Sequence, residues 1–261
     1  MKPTEAISRA LISLRGLSLG DAVGECLIGR GATSAARRAA RSIDRPAPWP
    51  WTDDTAMAVS VVETLALRGE VDVDELAARF ARRYQRDPAR GYGAGAHRIL
   101  SAVNEGTPWR VAAAAAFDGQ GSAGNGAAMR AAPIGAYFAG QLAIAAAAAR
   151  ASAAPTHAHA EGAAGAIAIA VLAAVVFGGE RDPAALHAAV LAHTPDSAVA
   201  RGLRWVAAYR GDDALEVAAT VGSGARVLAE DTVPFAVWCA IHSLGDFAGG
   251  VWACGDAGGD V

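Results

Sequence analysis

Cysteine is scarce: the chain has three, Cys26, Cys239 and Cys254, with no CxxC pair and no Cys/His spacing. That excludes a disulfide framework and a cysteine-based zinc site, and the three thiols read as small buried hydrophobes of a reducing compartment. Aromatic residues are few as well, at 6%. The 53% hydrophobic content is therefore carried by small side chains, and the interior is expected to be alanine-rich. No strong charge of either sign is present. A net charge of −3 offers no basic field to nucleic acid or to an anionic membrane. Lys2, Glu5, Arg9 and Arg15 interrupt the N-terminal stretch, so no signal peptide is expected and a cytoplasmic location is. Alternating strand patterns and fixed-period repeats are missing too.

What remains is helical periodicity. Ile7, Leu11, Leu14 and Leu17 predict a first helix, which Gly20 and Gly24 are expected to break. Arg37 to Arg45 is basic, and Pro46, Pro48 and Pro50 predict an extended loop. Further helices are expected from Asp54 to Arg68, after the Asp72-x-x-Glu75 cap, over Ala94 to Asn104, and after Thr107-Pro108. One beyond Gly126 should bend or break at Pro133 and Gly135. Others follow over residues 141–151, 183–192, 195–209 and 231–243. Gly162 to Gly179 carries no charge and reaches the length of a membrane span. It is largely alanine and glycine and has no Lys/Arg-rich flank, so it reads as a fully buried central helix. The expectation is an all-α fold, one compact multi-helix domain over residues 1–261, with the informative residues in loops at helix N-termini.

Those residues fall into five groups. Thr52-Asp53-Asp54-Thr55 places hydroxyls and paired carboxylates together, a hard-oxygen set that suits Mg²⁺, Ca²⁺ or Mn²⁺ and not Zn²⁺; the same pattern also caps a helix. Gly20-Asp21-Ala22-Val23-Gly24-Glu25 puts two acids where a cation site or a plain helix end fits. Gly119 to Gly124 matches GxGxxG, but no strand precedes it, which excludes a dinucleotide fingerprint. The overlapping Gly124-Asn125-Gly126 suits either an anion-binding nest or an ordinary turn. His157 and His159 lack a third metal partner and suit ligand packing or a capped helix start. The tail, Gly255 to Val261, joins glycines to acids.

In this order and spacing the groups resemble the ADP-ribosylglycohydrolase family. The residues that carry the resemblance are Gly20-Asp21-Ala22-Val23-Gly24, Thr52-Asp53-Asp54-Thr55, Ser122 to Arg130, Thr156-His157, and Gly258-Gly259-Asp260-Val261. The resemblance implies an all-helical hydrolase with two Mg²⁺ (or Mn²⁺) ions, releasing ADP-ribose from a modified protein or small-molecule acceptor. It implies Thr52, Asp53, Asp54 and Asp260 as metal ligands, with Asp53 and Asp54 also catalytic. Ser122, Gly124, Asn125 and Gly126 would hold the phosphate and ribose, and His157 would pack on the distal ribose. Three departures stand out. Ile28 occupies the position of a family glutamate, leaving Glu25 as the nearest acid and a third catalytic candidate. Ala123 replaces an aromatic found in some relatives. The family's second Asp and its Thr would fall beyond Val261, so the domain reads as truncated. A non-catalytic ADP-ribose-binding or structural scaffold is the alternative these departures raise.

Overall fold

The computed structural model describes residues 3–28 and 32–260. Among them are fourteen α-helices, one 3₁₀ turn and no strand. In chain order the helices are α1 (Pro3–Leu27), α2 (Ala32–Ala40), α3 (Asp53–Arg68), α4 (Val73–Arg86), α5 (Ala94–Asn104), α6 (Trp109–Ala115) and α7 (Ala132–Tyr137). They continue with α8 (Leu142–Ala153), α9 (Ala160–Phe177), α10 (Pro183–His193), α11 (Ala198–Ala208), α12 (Ala214–Val221), α13 (Ala229–His242) and α14 (Phe247–Ala257).

Local chemistry accounts for most of the boundaries. Thr52 caps α3 by accepting the Asp54 N–H, and Gly69 ends it in the left-handed conformation at φ 75°. Asp72 caps α4 by accepting the Glu75 N–H. Elsewhere the structure differs from the sequence pattern. α1 runs unbroken through Gly20 and Gly24, neither of which has positive φ. Packing against α3 and α7 offsets the conformational cost of its glycines. The alanine-rich segment before the proline loop forms α2, and the segment ahead of Gly258 forms α14. α12 joins them as a helix that periodicity did not indicate. At α6 the cap position falls on Pro108, not Thr107. α13 begins at Ala229, ahead of Asp231, and accommodates Pro234 internally. Gly202 of α11 makes room for that ring, since a Cβ there would meet the Pro234 side chain.

α9 is the centre of the domain. It is long and apolar enough to cross a membrane, with mean hydropathy 2.1, yet 61% of it is buried inside the protein. It packs against α7, α8, α10 and α13. Gly135 neither bends nor breaks a helix. It lies within α7, at the crossing with α9, where a Cβ would collide with the Ala170 carbonyl oxygen and lie 2.8 Å from the Ala174 nitrogen. Both are backbone atoms that cannot rotate away. Gly135→Ala is therefore expected to cost about 2–4 kcal/mol by forcing the helices apart. Urea unfolding should show a lower midpoint at unchanged slope; an unmoved midpoint would mean that the crossing yields freely.

Candidate active site

The site grows from the start of α3. Asp21, in the body of α1 and buried, accepts hydrogen bonds from the Thr52 N–H (2.9 Å) and hydroxyl (2.8 Å) and from the Thr55 N–H (3.2 Å) and hydroxyl (2.5 Å). Its carboxylate is consumed in holding the loop, so Asp21 positions the cluster rather than facing a ligand. The Thr52 hydroxyl gives its one proton to Asp21, which leaves oxygen lone pairs for the Asp54 N–H (3.3 Å) and for a cation. Behind the loop, the Asp53 N–H donates to the Arg90 carbonyl at 2.7 Å. Arg90 donates to the Trp51 carbonyl and stacks 3.8 Å over the Trp51 ring. Arg90 carried no motif, and its role here had no signal in the sequence.

The glycine loop packs against the start of α9. Gly121, at φ 77°, lies so close to the His159 backbone that a Cβ would sit 2.7 Å from its nitrogen. A 3₁₀ turn over Asn125–Ala127 follows, separate from α7. Two of the loop amides are already engaged: Gly124 N–H donates to the Ser122 hydroxyl oxygen at 3.2 Å, and Asn125 N–H to the Val227 carbonyl at 3.1 Å. The loop is thus less of an open nest than its glycines suggested, and the Ser122 hydroxyl proton is left over as a donor. The His157 ring lies against Gly124 and Gly126, where a Cβ would be 3.3 Å and 2.8 Å from Nε2.

Arg130, fully buried, organises this side. It donates to the carbonyls of Gly126 (3.2 Å) and Ser152 (2.7 Å) and to the Thr156 hydroxyl (2.9 Å), with its guanidinium 4.4 Å over Phe80. An arginine only donates, so the Thr156 proton goes to His157 Nδ1, 2.8 Å away. The His157 Nε2 then carries the ring proton and presents it beside the glycine loop. Burial, then the Arg130 charge, pushes the His157 pKa down to about 3, which keeps the ring neutral.

The tail brings the last acid. Asn125 Nδ2 donates to Asp260 Oδ2 at 2.8 Å and to the Thr232 hydroxyl at 3.1 Å. The loop over residues 222–227 clamps the tail from the other side. Gly259 fits against the Ser223 carbonyl, and Gly224, at φ 91°, leaves space for Asp260. Asp231 holds that loop through the Arg226 N–H at 2.7 Å. Glu25 lies one turn beyond Asp21, half-buried, with no hydrogen bond or ion pair to a described residue. Ile28 is 48% exposed at the end of α1. Val261 lies outside the described residues.

The electrostatics are one-sided. Asp53 and Asp54 form no ion pair with any described residue, and Asp21 and Asp260 add to the charge on both. Burial, ahead of the neighbouring carboxylates, pushes the Asp53 pKa up to about 7 and raises that of Asp54 well above its usual range. Hard oxygens with uncompensated negative charge fit Mg²⁺ or Mn²⁺. Among the described residues no three His, Cys, Asp or Glu side chains close on one point. A hydrated cation, with Thr52 and water completing its shell, suits such a set.

This charge predicts a pH dependence for the metal-free protein. The folded Asp53 keeps its proton up to about 7, whereas the unfolded one loses it near ~4. Between those values the folded state binds more protons, so stability is greatest below the unfolded pKa and is lost as pH rises through the folded one. Access to water from the cleft limits the effect to about 1–3 kcal/mol. Chelated protein should melt higher at about pH 5 than at about pH 7.5. Saturating Mg²⁺ should narrow the gap, and the opposite slope would refute the charge balance.

Known proteins resemble this chain in both sequence and fold. A family model described as ADP-ribosylglycohydrolase matches residues 2–261. ADP-ribosylhydrolase ARH3 of Xenopus tropicalis is 37% identical over 134 residues, covering 48% of this chain and 38% of that protein. The human ARH3 is 44% identical over 86 residues, covering 32% and 24%. The matched part thus spans about a quarter to two fifths of the length of these curated relatives. A solved structure titled ADP-ribosylglycohydrolase-related protein complex superposes with TM-score 0.64 at 25% identity, covering 98% of this chain and 83% of the other. The whole-length match places this chain in the ADP-ribosylglycohydrolase family.

Proposed function

We propose that the protein is a divalent-cation-dependent hydrolase that releases ADP-ribose from a modified protein or small-molecule acceptor. The observation that carries this reading is that Asp21, Asp53, Asp54 and Asp260 share one electrostatic neighbourhood, with Asp53 and Asp54 in no ion pair to a described residue, and that Asn125 ties Asp260 to the loop of Ser122 and Gly124. In it Thr52, Asp53, Asp54 and Asp260 hold Mg²⁺ or Mn²⁺, which supplies a Lewis acid and an acidified water when bound. The Ser122 hydroxyl and the remaining amides around Gly124 and Gly126 take the phosphate and ribose oxygens. Asn125 keeps Asp260 in place, and the His157 Nε2–H binds a ribose oxygen. As the water oxygen bonds to the anomeric carbon and the bond to the acceptor breaks, Asp53 or Asp54 takes the water proton, and Glu25, which makes no hydrogen bond to a described residue, is the candidate to give a proton to the leaving acceptor atom. Positive charge developing on the ribose is stabilised by the excess of carboxylates. Beside them an open groove of about 480 Å³, lined by Arg15, Trp49 and Trp51, receives the acceptor.

That no three acidic, imidazole or thiol ligands among the described residues close on one point favours a second reading, a scaffold that binds ADP-ribose without hydrolysing it. ADP-ribose release from arginine-, serine- and acetyl-linked acceptors, with Mg²⁺ and with chelator, separates the two. Turnover that needs Mg²⁺ supports the hydrolase. ADP-ribose binding without turnover on any acceptor supports the scaffold.

A further inference from the structure

A second cavity, lined by none of the residues above, opens between α10 and the C-terminal ends of α11 and α13. Its volume is about 510 Å³. Pro183, Ala184, His187, Ala188 and Leu191 recur at helical spacing and turn one face of α10 towards it. His187 is only 8% exposed, lines the cavity, and makes no hydrogen bond through either ring nitrogen to a described residue. A buried imidazole with no protein partner calls for a ligand or water.

Two further donors converge on it. The His242 ring stands 6.4 Å from His187, centroid to centroid, and stacks on Trp238 at 4.1 Å. Its Nδ1–H donates to the Trp238 carbonyl at 2.9 Å, so Nε2 is an acceptor in the neutral ring and a donor once the ring takes up a second proton. Arg210 is anchored by a bond from Nη1 to the Ala207 carbonyl at 2.9 Å and keeps other N–H groups free. One carboxylate stands against three basic side chains on the lining. Asp182 is the one carboxylate on the lining, and it caps α10 through the Ala185 N–H at 2.8 Å. The Tyr209 hydroxyl is occupied by Glu216 at 2.6 Å. Burial, His242 and Arg210 all push the His187 pKa down, as expected of basic groups facing one another without an anion.

We propose that this cavity binds a small organic phosphomonoester, its phosphoryl group held by His187, His242 and Arg210 and its apolar part by Leu191 and Val206. Arg210 offers free N–H donors and each ring donates once it is protonated, so the three side chains together can meet the oxygens of a phosphoryl dianion through charge-assisted bonds. A metal ion fits poorly: Arg210 repels it, and no third His, Cys, Asp or Glu ligand is at hand among the described residues.

The test follows the imidazole resonances of the full-length chain by NMR at about pH 6.5, near the ordinary histidine pKa, with inorganic phosphate and then phenyl phosphate as probes. His187 and His242 report on this cavity and His157 on the aspartate cleft, so binding at the two is separated. Both probes should move His187 and His242 and raise their apparent pKa values. Phenyl phosphate should bind about tenfold more tightly, through burial of its ring. Arg210→Gln, at an exposed position, should weaken both probes about fivefold or more without unfolding the protein. His187→Gln should do the same. The proposal is overturned if the two rings do not move, or if sodium chloride at matched ionic strength moves them equally. It is also overturned if Arg210→Gln leaves affinity unchanged, or if phenyl phosphate binds no more tightly than phosphate.

Discussion

On the proposed hydrolase function, Asp54→Asn is expected to lower Mg²⁺-dependent ADP-ribose release by about two to four orders of magnitude while making the metal-free protein more stable. The two effects share one cause. Burial and the charges of Asp53, Asp21 and Asp260 all disfavour an ionised Asp54, and no described cation is paired to it. An amide of the same shape keeps the fold but removes the charge that a hard cation requires. In the absence of metal that charge is a liability, and removing it should stabilise by about 1–3 kcal/mol, a melting-temperature rise of about 2–9 °C for a chain of this size. Thermal melts in chelator and calorimetric titration with Mn²⁺ check both halves. If Asp54 merely complements the dipole of α3, the variant will melt slightly lower, and any metal binding will be unaltered.

Much of this site was legible because its chemistry is local. Thr52-Asp53-Asp54 reads as both a cap and a hard-oxygen set, and Thr52 does cap α3. The helical architecture followed from spacing, and α5 occupies the expected residues. What could not be read depends on the third dimension. Asp21 looked like a helix-end acid beside two glycines, yet it lies in mid-helix and holds Thr52 and Thr55 from across the site. Gly135 looked like a breaker because glycine weakens a helix, but its missing side chain serves a helix crossing that only the neighbour α9 reveals. The segment over residues 222–227, wedged between Asn125 and the tail, has no periodicity to announce it. α14 had no periodicity to announce it, and its packing on α1, α12 and α13 outweighs the low helix propensity of its glycines.

Arg130 carries the second large effect. Arg130→Met should cost about 3–5 kcal/mol and weaken ADP-ribose binding as well. Methionine fills much of the space over Phe80, so the loss is not a matter of volume. It leaves the Gly126 and Ser152 carbonyls without a donor in a fully buried place, each costing about 1–3 kcal/mol. It also frees the Thr156 hydroxyl from the bond that orients it towards His157 Nδ1, so the ring loses its fixed tautomer and Nε2 no longer presents a proton beside Gly124 and Gly126. Arg130 further lowers the charge penalty on Asp53, a relief that methionine cannot give. Its own pKa, pushed down to about 9 by burial, still leaves it protonated at neutral pH. Arg130→Lys should rescue little, because one ammonium cannot reach three oxygens that a planar fork spans. Urea unfolding of both variants measures the stability term. ADP-ribose titration under conditions where both remain folded measures the binding term. Lysine restoring wild-type stability and affinity would show that Arg130 acts as a charge alone, and the donor chain through Thr156 to His157 would then be dispensable.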